Sequence, residues 1–133
     1  MKASLLLALA GLSISTTEAA EPTGTVALAC NGTKTDDIPD AKSEPISISI
    51  IIDFKARTIE GDLASVMTIT DVTETNITFK GSEVNGKVYS YQIGGTINRV
   101  TGAMEAVQAS VLRERWSWTT NYSLKCKPTQ RMF

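Results

Sequence analysis

Four residues near the end of the chain have the side chains best suited to binding another molecule: Arg113, Arg115, Trp116 and Trp118. Guanidinium groups and indole rings stack on sugars, bases or protein side chains, and both residue types are enriched where binding energy concentrates at interfaces. The competing interpretation is that the two tryptophans fill one end of a small core, which is the more ordinary role in a small domain. The sequence therefore predicts a candidate binding surface here and leaves both interpretations open.

The residue types that most enzymes need are missing from the sequence. The 133 residues include no histidine, which removes the commonest general base and the usual Ser-His and Cys-His pairs. No nucleophile motif or phosphate-binding glycine loop is present. Glu60 and Asp62 fall on one face of a predicted strand, where surface charge is the ordinary explanation. We expect a protein that is not an enzyme and uses no cofactor.

The charged residues give little indication of a partner. Formal net charge is -1, which does not favour binding to nucleic acid or to an anionic membrane surface. Asp36, Asp37 and Asp40 lack the spacing and the closing Glu of a calcium loop. We therefore predict no metal site and no nucleic-acid partner. The sequence does not identify the partner, and a protein or glycan of the cell envelope is one candidate.

The first 19 residues have the features of a secretory signal peptide. Lys2 precedes an apolar run from Ala3 to Ile14, and Thr17 and Ala19 are the small residues read before cleavage. The run is too short for a membrane span. We predict residues 1–19 as the signal peptide, residues 20–133 as a single β domain, and a periplasmic or secreted location.

The two cysteines fit an oxidising compartment. Cys30 lies near the mature start and Cys126 near the end, and an exported chain can join them in a disulfide. The alternative is that residues 27–30 form a lipobox and that Cys30 is lipidated. Glu18, Glu21 and Pro22 separate Cys30 from the apolar run, and lipidation would leave Cys126 unpaired. The disulfide is the better prediction.

Apolar residues alternate along nearly the whole mature chain. From Ile46 to Phe54 every second residue is apolar, as in a half-buried strand. Asn85-Gly86 predicts a hairpin turn, and Gly94-Gly95 predicts a bulge or sharp bend. The polar segment from Thr33 to Pro45 is interpreted as a mobile surface loop. Residues 103–112 have a helical composition but alternate with period two, so we assign a strand.

These patterns predict an all-β fold. About seven or eight short strands with frequent turns indicate a small antiparallel meander, either a barrel or a sandwich. Cys30 and Cys126 fall on the inward side of the first and last strands, so their disulfide would join the two edges and close the sheet.

Three segments carry a resemblance to a known group of proteins. They are residues 30–32 (Cys-Asn-Gly), residues 95–102 (Gly-Thr-Ile-Asn-Arg-Val-Thr-Gly) and residues 122–128 (Tyr-Ser-Leu-Lys-Cys-Lys-Pro). Together they resemble uncharacterised small exported proteins of soil-type alphaproteobacteria, and this resemblance implies no catalytic residues. The opening strand and small barrel also look loosely like periplasmic lysozyme inhibitors, whose inhibitory loop motif is not visible here. That second likeness implies, as an alternative function, inhibition of a cell-wall hydrolase such as lysozyme.

Overall fold

The structure is a computed structural model that describes residues 23–64, 66–85, 88–113 and 115–129. Its eight strands are β1 (Thr25–Asp36), β2 (Glu44–Asp53), β3 (Thr58–Gly61), β4 (Val66–Val72), β5 (Asn76–Asn85), β6 (Tyr89–Asn98), β7 (Ala103–Leu112) and β8 (Trp116–Pro128). Each strand pairs antiparallel with the next, and β8 pairs with β1, which closes a barrel. The all-β prediction is confirmed, and the architecture is a barrel rather than a sandwich.

The alternation in sequence becomes an inside and an outside of this barrel. On β2, Ile48, Ile50 and Ile52 are buried, whereas Ile51 between them is exposed. The same alternation runs along β7, where Met104 is buried and its neighbours are not. The assignment of residues 103–112 to a strand is therefore confirmed. Each fully buried side chain of this kind stabilises the fold by about 1.5–3 kcal/mol relative to exposure.

The predicted disulfide closes the barrel. Cys30 and Cys126 are bonded, and they are directly opposite each other in the β1–β8 ladder. That ladder extends from Leu28↔Pro128 to Asp36↔Thr120, so hydrogen bonds and a covalent bond join the same two strands. The edges that an open sheet would leave unpaired are removed.

The interpretation of Thr33 to Pro45 as a loop is wrong at both ends. β1 continues to Asp36 and β2 begins at Glu44, so residues 37–43 alone connect them. Lys34 pairs with Glu44 in the ladder and forms an ion pair with it at 3.9 Å. The segment is polar because these strand ends project beyond the core, and its polarity concealed the strand.

The bulge predicted at Gly94-Gly95 is also wrong. The register from Phe79 through Gly95 to Ala106 is unbroken on both sides of β6. A Cβ on Gly95 would lie 2.3 Å from the carbonyl oxygen of Glu105. Glycine is required there because the backbone of β7 approaches closely. The register shift lies instead between β4 and β5, at Ile69 to Asp71.

The meander gives the barrel two different ends. We call the end with the β1–β2, β3–β4, β5–β6 and β7–β8 connections the hairpin end. We call the opposite end, where β1 begins and β8 finishes, the terminal end. The β5–β6 hairpin is confirmed by its ladder, but Gly86 of the predicted turn lies outside the described residues, as does the predicted signal peptide. Within the described ranges, no helix is long and apolar enough to span a membrane.

Candidate functional site

The β7–β8 turn presents the two arginines of the predicted binding surface. The N–H of Arg115 donates to the carbonyl of Leu112 at 3.1 Å, and the N–H of Arg113 donates to the carbonyl of Val88 at 2.6 Å. Arg113 has φ of 53°, a left-handed conformation that costs a residue with a side chain about 1 kcal/mol. Both arginine side chains are exposed. The turn is therefore fixed against Val88, just before β6, while its two cations face solvent.

The structure separates the roles of the two tryptophans. Trp116 is paired with Leu112 at the last position of the ladder, beyond the core, and its side chain is 70% exposed. Trp118 is paired with Ser110, deeper in the barrel, and is half-buried. The interpretation of the tryptophans as core residues is therefore partly right for Trp118 and does not apply to Trp116.

Tyrosines extend the aromatic surface into the mouth of the barrel at the hairpin end. The ring of Tyr89 lies 6.3 Å from that of Trp118, at an interplanar angle of 36°. Tyr89 also lies 5.8 Å from Tyr91, with the planes tilted by 50°. Tilted aromatic pairs at these distances attract each other beyond the effect of area burial alone. Tyr89 thus packs against both Trp118 and Tyr91.

A polar network lies on the inner side of the strands below these rings. Gln108 is at its centre: its Nε2 donates to the hydroxyls of Tyr89 at 3.2 Å and Ser110 at 3.3 Å. Its Oε1 accepts from the hydroxyl of Tyr122 at 3.0 Å. Ser110 is almost completely buried, so these bonds prevent the cost of an unpaired polar group. The mouth therefore has a polar, hydrogen-bonded floor.

Tyr122 is held in its neutral form. Burial raises the pKa of its phenol above the usual value of 10.0, and the nearby carboxylate of Asp36 raises it further. Asp36 also accepts a hydrogen bond from the hydroxyl of Thr120 at 2.6 Å. Near neutral pH this tyrosine donates its proton in a hydrogen bond rather than accepting one as a base. The network is thus suited to holding a shape and to hydrogen bonding.

Several exposed apolar side chains lie at this same end, although the most exposed aliphatic one, Val100 at 76%, is in the β6–β7 turn at the terminal end. Apart from Trp116, four aliphatic residues in the loops and strand ends of the hairpin end are about half exposed or more: Ile38, Val66, Val84 and Val88. Val88 is next to the arginines, since its carbonyl accepts the N–H of Arg113. Single exposed apolar residues are normal, but their grouping at one end is typical of an interaction surface.

The predicted acidic loop does not bring its carboxylates together as a metal site. Among the described residues, no group of three or more His, Cys, Asp or Glu side chains is placed to hold a metal ion. Asp37 and Asp40 are exposed, whereas Asp36 is part of β1 and faces Thr120.

Sequence reasoning identified the arginines and tryptophans but not the polar network below them. Gln108 alternates in step with the buried Met104, Ala106 and Ser110, and the sequence pattern indicated no role for it. The signal was available: polar residues on the inward side, near the hairpin end of β7 and β8, indicate that the core stops short of this mouth.

Comparison with models of known protein families, with curated proteins and with solved structures finds no match to this chain. The function is therefore inferred from the geometry of the barrel and the chemistry of its sequence.

Proposed function

We propose that the protein is an exported, non-enzymatic binding module that holds another protein of the cell envelope through its hairpin end. The observation that carries this proposal is Trp116, a large aromatic side chain that is 70% exposed at the end of an ordered strand. Arg113 and Arg115 are in the adjoining turn. Exposed tryptophan beside arginine is the composition of an interface hot spot.

The exposed aliphatic residues at the same end favour a protein over a glycan. Ile38, Val66, Val84 and Val88 offer apolar contact to a partner and no hydrogen bonds to hydroxyl groups. Interface centres between proteins combine aromatic residues, aliphatic residues and arginine, whereas their rims are polar. The tyrosines and Trp118 form the support beneath this surface.

Export is supported by two independent features. Residues 1–19 have the pattern of a signal peptide, and Cys30 is bonded to Cys126. A structural disulfide persists in the periplasm or outside the cell, where thiols are not kept reduced. A periplasmic or secreted location is therefore the natural compartment for this barrel.

A non-enzymatic role is supported by the environment of the ionisable groups. The sequence has no histidine. Every Asp and Glu that the structure describes is exposed or half-buried, so none has the deep burial that commonly produces a general base near neutral pH. Burial raises the pKa of Tyr122, which moves that group further from neutrality.

The alternative is a proteinaceous inhibitor of a cell-wall hydrolase such as lysozyme. The β7–β8 turn favours it, because two exposed arginines would complement a cleft whose chemistry depends on a pair of carboxyl groups. Inhibition of a muramidase by the pure mature protein, lost in Arg113→Ala and Arg115→Ala, would support this alternative. Binding to an envelope protein without any inhibition would favour the more general module.

The experiment that tests the main proposal compares the two tryptophans. We expect Trp116→Ala to keep the free energy of unfolding within about 0.5 kcal/mol and to weaken capture of the partner from envelope extract at least tenfold. Trp118→Ala should destabilise by about 2 kcal/mol, because it removes a half-buried ring that packs on Tyr89.

Val107→Ala is the matched control, since Val107 is exposed on the outer wall of β7. It should change neither stability nor capture. Unfolding of the domain by Trp116→Ala would show that this residue belongs to the core, and unchanged capture by a folded Trp116→Ala protein would reject the proposed surface.

A further inference from the structure

The terminal end of the barrel holds an apolar cavity that the hairpin-end surface does not use. Its volume is about 560 Å³, within the usual range for small-molecule sites. Its apolar lining includes Leu28, Ile52, Ile77 and Ile97, with Val26 and Phe54 nearer the opening. Barrel mouths are a common position for ligand sites. Leu28, Ile52, Ile77 and Ile97 are almost completely buried and form the floor, so the apolar surface open to a ligand is mainly that of Val26, Phe54 and Val100.

The turn between β6 and β7 forms one rim of this cavity and is held firmly. The Oδ1 of Asn98 accepts the N–H groups of Val100 and Thr101, at 2.8 and 2.9 Å. The guanidinium of Arg99 donates to the carbonyl of Thr73 at 2.5 Å, so this turn is tied to the neighbouring β4–β5 turn. A rim that is already ordered loses little conformational entropy when a ligand binds.

Gly102 completes this rim. Its φ of 82° is in the left-handed region, and its carbonyl accepts the N–H of Cys126 at 2.8 Å. A Cβ at this position would lie 2.3 Å from the carbonyl oxygen of Cys126. Glycine is therefore what allows the turn to lie against β8, next to the disulfide.

The cavity is edged by positive charge. Arg99, Lys125 and Lys127 line it, and no carboxylate is among the described residues that do so. Lys125 and Lys127 alternate with the buried Leu124 and Cys126, so their side chains stand at the outer rim of the cavity. The neighbouring strand ends and turns add Lys55 and Arg57 against Asp53, Asp71 and Glu74, one negative charge more than the positive ones. In a protein whose formal net charge is -1, this mouth is locally basic. An anionic group at the opening would be favoured.

We propose that this cavity binds a monomeric amphiphile with one hydrocarbon chain and an anionic head group. The chain lies across the apolar floor between Val26, Phe54 and Val100, and the head group lies at the opening beside Lys125 and Lys127. A wholly polar ligand would gain nothing from the apolar lining, and a cationic head group would be repelled by the rim. This site is independent of the protein-binding surface at the opposite end.

A series of fatty acids of increasing chain length tests whether the cavity binds the hydrocarbon chain. Octanoate, decanoate and dodecanoate are titrated by calorimetry below their micelle concentrations. Each added methylene should lower Kd about fourfold while the chain still finds apolar surface. Dodecyltrimethylammonium, with an equal chain and the opposite charge, should bind at least tenfold more weakly than dodecanoate. No binding of dodecanoate, no dependence on chain length, or equal affinity for the cation would overturn the proposal.

Variants separate the cavity from the rest of the surface. Val26→Asp places a charge in the wall near the opening and should abolish dodecanoate binding, whereas Val107→Asp on the outer wall should leave it unchanged. The pair Lys125→Gln and Lys127→Gln should remove the preference for the anion, and Lys42→Gln in the β1–β2 loop is its charge control. Equal effects of Val26→Asp and Val107→Asp would contradict a site in this cavity.

Two further measurements locate the ligand and its source. Methyl NMR shifts on adding dodecanoate should centre on Leu28, Ile52 and Ile97, and shifts centred on Val84 and Val88 would overturn the assignment. The second measurement is binding of the protein to vesicles of phosphatidylglycerol. Dodecanoate binding without vesicle binding supports a free monomer as ligand, whereas vesicle binding without dodecanoate binding would replace the cavity with a membrane-facing surface.

Discussion

Adding one methyl group at Gly95 should damage the barrel, whereas the same change at Gly94 should not. In Gly95→Ala the new Cβ would lie 2.3 Å from the carbonyl oxygen of Glu105 and 2.8 Å from the Cα of Ala106. Ordinary contact begins near 3.4 Å, so β6 and β7 would have to separate by about 1 Å. The obstructing atoms are mainly backbone, which has no rotamer to change. We expect a loss of about 3 kcal/mol, near the upper end for overpacking.

Gly94→Ala is the control one residue away. The nearest atom to its new Cβ would be the carbonyl oxygen of Phe79, at 3.6 Å, which is a normal contact. We expect a change within about 0.5 kcal/mol, with stabilisation possible because alanine restricts the unfolded chain. Urea unfolding followed by tryptophan fluorescence measures both variants. If the two lost similar stability, the close approach of β7 to Gly95 would be refuted as the reason for glycine there.

Three further predictions concern the disulfide, the β7–β8 turn and Tyr122. The double change Cys30→Ala and Cys126→Ala should cost about 4–5 kcal/mol in urea unfolding, because a bond spanning 96 residues restricts the unfolded chain strongly; a loss below about 1 kcal/mol would contradict this. Arg113→Gly should raise the free energy of unfolding by about 1 kcal/mol by relieving the left-handed conformation, while weakening partner capture; Arg113→Ala should weaken capture without the gain in stability. The pKa of Tyr122 is raised in the folded state, so the contribution of its neutral phenol to the free energy of unfolding is fully present below pH 10 and is lost as pH rises through the folded pKa. Tyr122→Phe should therefore lose less stability between pH 9 and pH 11 than the unchanged protein.

The strands of the core could be predicted from the sequence because their buried residues are apolar and occur at every second position. β2 and β7 were placed within two residues of their observed bounds, since one side of each strand had to be apolar. The disulfide followed from Cys30 and Cys126 sharing the inward side of the first and last strands. These features depend on the local alternation of apolar residues and on the rule that joining the first and last strands removes unpaired edges. Both can be read from the sequence.

Features that depend on contacts between strands could not be predicted in the same way. Gly94-Gly95 was interpreted as a bulge or sharp bend because the pair has no evident use within a single strand. The reason for Gly95 is the Glu105 carbonyl, which is ten residues away on another strand. Thr33 to Asp36 were interpreted as loop because polar residues at a strand end have no pattern that separates them from a turn. The site shows the same division: Trp116 could be identified by residue type, but its exposure depends on where the core ends.

The measurement that tests the central proposal most directly is photo-cross-linking in the intact envelope. Trp116 is replaced by p-benzoylphenylalanine in one variant and Val107, exposed on the outer wall, in another. Irradiation should join the variant with the probe at position 116 to one discrete protein partner and leave the variant with the probe at position 107 free. Equal labelling from both positions, or a discrete adduct formed only from position 107, would contradict the proposal that the hairpin end is the surface by which this barrel binds its partner.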